Sequence, residues 1–207
     1  MLQWKTSQVT CPACCETGDF RMCTSIDLKE SPELKDDIFN RELFHFSCPN
    51  CGEDIMVAYN CTLTDPENNQ IIALITDDEA IESSKLLVYG YKLRIVRSIN
   101  EFVEKVALSE DGIDDKVVEL YKLMLEDQFE EERHGSEILG IYYGGRNFDD
   151  DTLLFYIITG NAENCRATLS MQTYRAIESQ FAEKSDKYTR DCEINKDWAI
   201  SVLQNGL

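Results

Sequence analysis

The chain has 207 residues, 43% of them hydrophobic, enough for a packed core in one large domain or two small ones. Its 39 acidic side chains against 20 basic ones leave a formal net charge of −19. Such a surface repels phosphate backbones and anionic headgroups, which disfavours nucleic acid and membranes as partners.

No stretch approaches the roughly 20 apolar residues of a membrane-spanning helix. The opening MLQWKTSQVTCPACC has no apolar signal-peptide core, so no export signal is expected. Of nine cysteines, four sit in CxxC pairs, which favours a reducing cytoplasm and a metal site over a secreted disulfide scaffold.

Residues 20–28 (FRMCTSIDL) follow a Gly18-Asp19 break and predict a strand. Ser31, Pro32 and Glu33 read as a helix start, an N-cap with proline at the first helical position, and predict a turn or two of helix. Residues 43–48 (LFHFSC) predict a strand into a second cysteine pair, and residues 53–64 (EDIMVAYNCTLT) a strand out of it. After the turn signal at residues 65–69, residues 70–76 (QIIALIT) return as an antiparallel partner. Residues 85–96 (KLLVYGYKLRIV) supply one or two further strands.

Ser98 and Glu101 form a capping box, opening a helix whose Phe102, Val103, Val106 and Ala107 share a face. Asp111-Gly112 ends it, and a second helix from about Asp114 completes a helical hairpin expected to pack on the sheet. The acidic run at 126–137 is the expected internal boundary. Beyond it, residues 137–143 and 152–159 predict a β-hairpin across Gly144, Gly145, Arg146, Asn147 and Phe148, with a third strand at 167–171. A helix follows with Tyr174, Ile177 and Phe181 inward, and the chain closes on an expected short strand and helical turn.

The strongest signal is Cys11-Pro12-Ala13-Cys14 with Cys48-Pro49-Asn50-Cys51-Gly52. Each CPxC turn holds two thiolates on one hairpin tip, half of a tetrahedral four-sulfur site. Proline fixes φ, and the remaining amides can point at the sulfurs. Glycine after the second pair permits a left-handed closure, whereas Cys15 stands in the equivalent place in the first and could compete as a ligand. The 33 residues between Cys14 and Cys48 fit a zinc ribbon carrying an insertion. Cys11, Cys14, Cys48 and Cys51 are therefore the expected ligands of one structural Zn2+.

CxxC also occurs in disulfide oxidoreductases, but there it opens a helix, and neither pair here precedes a helical pattern. Cys23, Cys61, Cys165 and Cys192 read as structural, Cys61 being the one nearest the site in sequence. His45 is a surface residue or a neighbour of the ion, and His134 lies solvated in the acidic run. Asp149, Asp150 and Asp151 beside the glycines could chelate a hard cation, but lack EF-hand spacing and read as a solvated tip. Residues 1–64 hold five basic and ten acidic side chains, and the best basic patch is Lys92, Arg94 and Arg97 with Tyr89 and Tyr91 nearby. No catalytic residue is nominated: HExxH, GxSxG and P-loop motifs are missing, and a four-sulfur site offers no open position.

CPAC, FHFSCPNCGEDIMVAYN and KLRIVRSINEFVEKVALSEDGIDDKVVELYKLML together resemble the bacterial CpXC family, over roughly residues 9–130. The resemblance implies a zinc-ribbon-containing domain without an assigned activity, and supports the metal role of the four cysteines. The expected fold is α+β: a zinc-ribbon-type antiparallel sheet with a helical hairpin over residues 1–130, then a β-hairpin and helix unit over 131–207, packed as two bodies or as one. The leading function is a zinc-binding, non-enzymatic protein-binding or regulatory module. The alternatives are an enzyme with a cleft between the parts, a CxxC oxidoreductase, and a nucleic-acid-binding ribbon. A protein partner is expected.

Overall fold

A computed structural model describes residues 2–77, 88–132, 137–160, 165–182 and 185–205. The fold is α+β, as expected. Cα packing divides the chain into two compact units, Met1–Val103 and Glu104–Leu207.

The first unit is built on a five-stranded sheet. β1 (Gln3–Thr10) and β2 (Thr17–Asp27) form an antiparallel hairpin whose closing pair is Thr10 and Thr17. β1 was not expected, because most of its residues are exposed on an outer strand, so no apolar alternation marks it. α1 (Leu34–Phe39) is the short helix, and it buries Leu34 and Ile38. Its N-cap is Glu33, without a side-chain bond; Ser31 is buried in the preceding turn and does not cap it.

A 3-10 turn at Glu42–Phe44 leads into β3 (His45–Ser47), which pairs antiparallel with β4 (Asp54–Met56). The expected continuous strand over 53–64 is broken at 57–60, where the chain leaves β4 and crosses to the main sheet. Buried Tyr59 fixes this crossing: its hydroxyl donates to the Leu43 carbonyl (2.8 Å) and accepts from the Cys23 amide (3.1 Å). β5 (Cys61–Asp65) and β6 (Gln70–Leu74) form the expected antiparallel pair, and the Asp65 carboxylate accepts the turn amides of Glu67 and Asn68.

β7 (Lys92–Val96) covers the end of the segment expected at 85–96; residues 85–87 lie outside the described residues. The order is β1-β2-β5-β6-β7, with β2/β5 and β6/β7 parallel, so the sheet is mixed. α2 (Ile99–Glu110) starts at the predicted capping box: Ser98 Oγ accepts the Glu101 amide, and the Glu101 carboxylate accepts the Ser98 amide, both at 3.2 Å. Its first turn places Phe102 edge-on to Phe44, 5.9 Å between ring centres.

In the second unit α3 (Asp115–Glu132) packs on a three-stranded antiparallel sheet of β8 (Ile138–Asn147), β9 (Thr152–Thr159) and β10 (Cys165–Ser170), ordered β10-β9-β8. Val117, Val118, Leu125 and Phe129 share a core with Ile141, Leu153, Phe155 and Leu169. Packing therefore joins the second helix of the hairpin to the second sheet. The division expected at 130/131, a ribbon domain with helical hairpin followed by a β-hairpin and helix unit, stands as a proposal. The β8–β9 turn lies at 148–151, beyond the glycines, which sit inside β8 where its register shifts. α4 (Met171–Ala182) buries Met171, Tyr174 and Phe181. The chain end is a helix, α5 (Lys196–Gln204), capped by Asn195 and packing Trp198 and Val202 with Phe181.

Charged residues are buried within this unit. Lys122 Nζ lies 2.7 Å from Glu104 and 3.0 Å from Glu119, and Lys105 Nζ is 3.3 Å from both Asp115 and Glu119. Glu104 also accepts the Tyr143 amide at 2.6 Å. Burial raises the Glu104 carboxyl above its ordinary range even beside Lys122. Burial works against the Lys122 ammonium, but Glu104 and Glu119 outweigh it and hold its pKa above the usual lysine range. On α3, Asp115, Glu119 and Lys122 follow helical i+4 and i+3 spacing, which in sequence reads as a solvated face.

Candidate metal centre

Cys11 and Cys14 lie in the turn joining β1 to β2, and Cys48 and Cys51 in the turn joining β3 to β4. The two turns have the same backbone bonds. In the first, the Cys11 amide donates to Glu16 O and the Cys15 amide to Cys11 O, both at 2.9 Å. In the second, the Cys48 amide donates to Glu53 O (2.8 Å) and the Gly52 amide to Cys48 O (2.9 Å). Each antiparallel hairpin thus turns its CPxC tip in one way. Gly52 has φ 76° and Cys15 has φ 62°, so a β-carbon is carried in the first turn at the left-handed position that glycine fills in the second.

The hairpins bring the four expected cysteines together. All four sulfurs lie within 4.8 Å of one another, and two contacts, Cys11 to Cys51 and Cys14 to Cys48, are 3.6 Å. Zn–S bonds of about 2.3 Å put sulfurs about 3.8 Å apart at the corners of a tetrahedron, so the donor set fits that ion. These contacts run between the two turns, whereas a redox CxxC pairs the cysteines of one motif at a helix N-terminus. Each CxxC here leads into a strand. Cys15 is exposed and is not one of the converging thiols.

The electrostatics of the cluster fit cation binding. Hydrogen bonds from the Asn50 side chain and the Glu16 backbone lower the Cys14 thiol to about 6. At Cys51 the Glu53 amide also pulls downward, but the neighbouring Cys14 sulfur, burial, Cys11 and Cys48 push it up to about 12. One thiolate forms readily and the next resists, because like charges crowd together; a divalent cation removes that resistance.

The packing beside the site leaves little slack. A β-carbon built on Gly18, just past the first turn, would sit 2.8 Å from Phe46 Cζ and 3.1 Å from Pro49 Cδ. Cys23 and Cys61 are buried on the neighbouring strands β2 and β5, and burial pushes the Cys23 thiol up to about 11. Tyr59 went unnoticed in the sequence, since nothing local marks a tyrosine whose partners lie 16 and 36 residues away.

The other sequence candidates are placed differently. His45 is exposed, with Nε2 3.3 Å from Asp54 on β4, and is not part of the converging cysteine group. His134 lies outside the described residues. In the β8–β9 turn the Asn147 side-chain oxygen accepts the backbone amides of Asp149 and Asp150, and Asp151 pairs with Arg146 at 2.9 Å. Arg94 is 2% exposed, so Lys92, Arg94 and Arg97 do not form a continuous surface patch. Cys165 and Cys192 are half-buried in the second unit. Among the described residues no helix is long and apolar enough to cross a membrane.

Against known proteins, the family model described as CpXC protein matches residues 9–122, just over half of the chain and spanning both cysteine turns. No curated protein and no solved structure matches.

Proposed function

The chain belongs to the CpXC protein family, and from that premise we propose that it is a zinc protein in which one Zn2+, held by Cys11, Cys14, Cys48 and Cys51, staples two hairpins into a non-enzymatic protein-binding module. The observation that carries this reading is the convergence of four thiols from two separate turns to within 4.8 Å. A tetrahedral four-sulfur site is coordinatively full, so its ion contributes folding energy and offers no position to a substrate. The thiolates, once coordinated, are also poor nucleophiles for disulfide exchange. A reducing compartment suits nine cysteines that form no disulfide, and cytoplasmic residence follows as part of the proposal.

Elemental analysis of the purified protein, alone and as Cys48→Ser, tests the reading. It expects about one zinc per chain, lost in the variant, and intense thiolate-to-cobalt absorption after exchange with Co2+. Metal content near zero in freshly purified, reduced protein would end it.

A further inference from the structure

The first unit carries a concave surface of about 550 Å³ beside the second cysteine turn, flanked by Ser47 and Pro49 on either side of Cys48. Its floor is apolar and fixed: Phe20, Leu43 and Phe46 are each at most 6% exposed, and Phe20 meets Phe46 edge-on at 5.9 Å. One wall is Trp4, whose ring is covered by the Arg21 guanidinium at 4.2 Å. The remaining walls carry Asp19 from β2, Asp37 from α1 and Glu42 from the 3-10 turn, with His45 of β3 beside them. These three carboxylates outnumber the guanidinium, already stacked on an indole, and the His45 imidazole, whose Nε2 faces Asp54 at 3.3 Å, so the groove is negative.

We propose that this groove binds an extended basic segment of a partner protein. The partner's lysine or arginine stem would lie over the aromatic floor, and its charge would reach Asp37 and Glu42. The inference deepens the protein-binding reading above and rests on it. An aromatic floor takes the apolar stem of a long cationic side chain while carboxylates at the rim take the charged head, a division that such side chains favour. An anionic ligand would meet Asp19, Asp37 and Glu42. A wholly apolar one would leave their charges desolvated, at a cost. The groove also borrows its shape from the metal site, because Ser47 and Pro49 flank a ligand and Asp19 to Arg21 leave the other turn.

Fluorescence anisotropy with a labelled nonapeptide bearing alternating lysine and arginine tests it, at about 150 mM salt to suppress diffuse attraction. The full chain is compared with Asp37→Asn/Glu42→Gln and with Asp149→Asn/Asp150→Asn, the latter at the β8–β9 turn. Circular dichroism and metal content are measured on every sample. The expected result is saturable binding, weakened about tenfold by the groove variant through the loss of two partly solvated ion pairs, and unchanged by the turn variant. Equal weakening by both variants would mean nonspecific attraction to an acidic protein and overturn the proposal. So would unsaturable binding to metal-replete protein, or self-association abolished by the groove variant, which would make a second copy the occupant. Metal content near zero would sink the zinc reading separately, while anisotropy would still decide the groove.

Discussion

Chelation of the proposed metal should unfold the first unit while sparing the second. The ion cross-links two turns separated by the 33 residues between Cys14 and Cys48. Treated as loop closure, a cross-link over a loop of this size is worth about 4 kcal/mol. Small domains have only about 5–15 kcal/mol of stability in all, so its loss removes much of the margin. The thiols left behind at 3.6 Å contacts add like-charge crowding. Two tryptophans separate the units: Trp4 lies opposite Cys23 in the β1–β2 hairpin, and Trp198 in the core of α5 with Phe181. Urea melts of Trp198→Phe and Trp4→Phe proteins, with and without a strong zinc chelator, read each signal alone. With a urea slope of about 2 kcal/mol/M, the Trp4 midpoint should fall by about 2 M and the Trp198 midpoint should stay in place. An unmoved Trp4 midpoint, with metal analysis proving removal, would refute the staple argument.

Replacing Cys15 with glycine should relieve its left-handed strain, a net gain of up to about 1 kcal/mol after the entropy cost of glycine, with metal content unchanged; loss of metal would make Cys15 a ligand. Lys122→Met should cost about 3–5 kcal/mol in a chemical melt, because it removes the cation 2.7 Å from buried Glu104 and leaves Glu119 only Lys105. The double variant with Glu104→Gln should recover part of that loss. Burial raises the Tyr59 phenol above the ordinary tyrosine range. A raised folded pKa means its contribution is complete below about pH 10 and is lost as pH climbs beyond. Melts from pH 8 upward should therefore show a steeper alkaline loss for the native protein than for Tyr59→Phe; equal slopes would remove Tyr59 from the account.

Spacing along the chain was enough to single out the four cysteines that converge, because a CPxC turn fixes two sulfurs by covalent geometry whatever surrounds it. The same locality made the Ser98–Glu101 cap and the β5–β6 pair legible, since their partners lie a few residues apart. It also flagged position 15, where the structure carries a positive φ on a non-glycine residue. Tertiary structure alone decided the rest. β1 is a strand because β2 pairs with it, although its own residues bury little. α3 belongs with the second sheet because Phe155 and Leu153 meet it there, a fact no helical period contains. Glu104, Lys105 and Lys122 look solvated in sequence and are buried in the fold, since burial depends on what packs above a residue and charge alone does not report it. The groove by the second turn likewise draws its floor and rim from β1, β2, α1 and β3, segments whose meeting is set by packing.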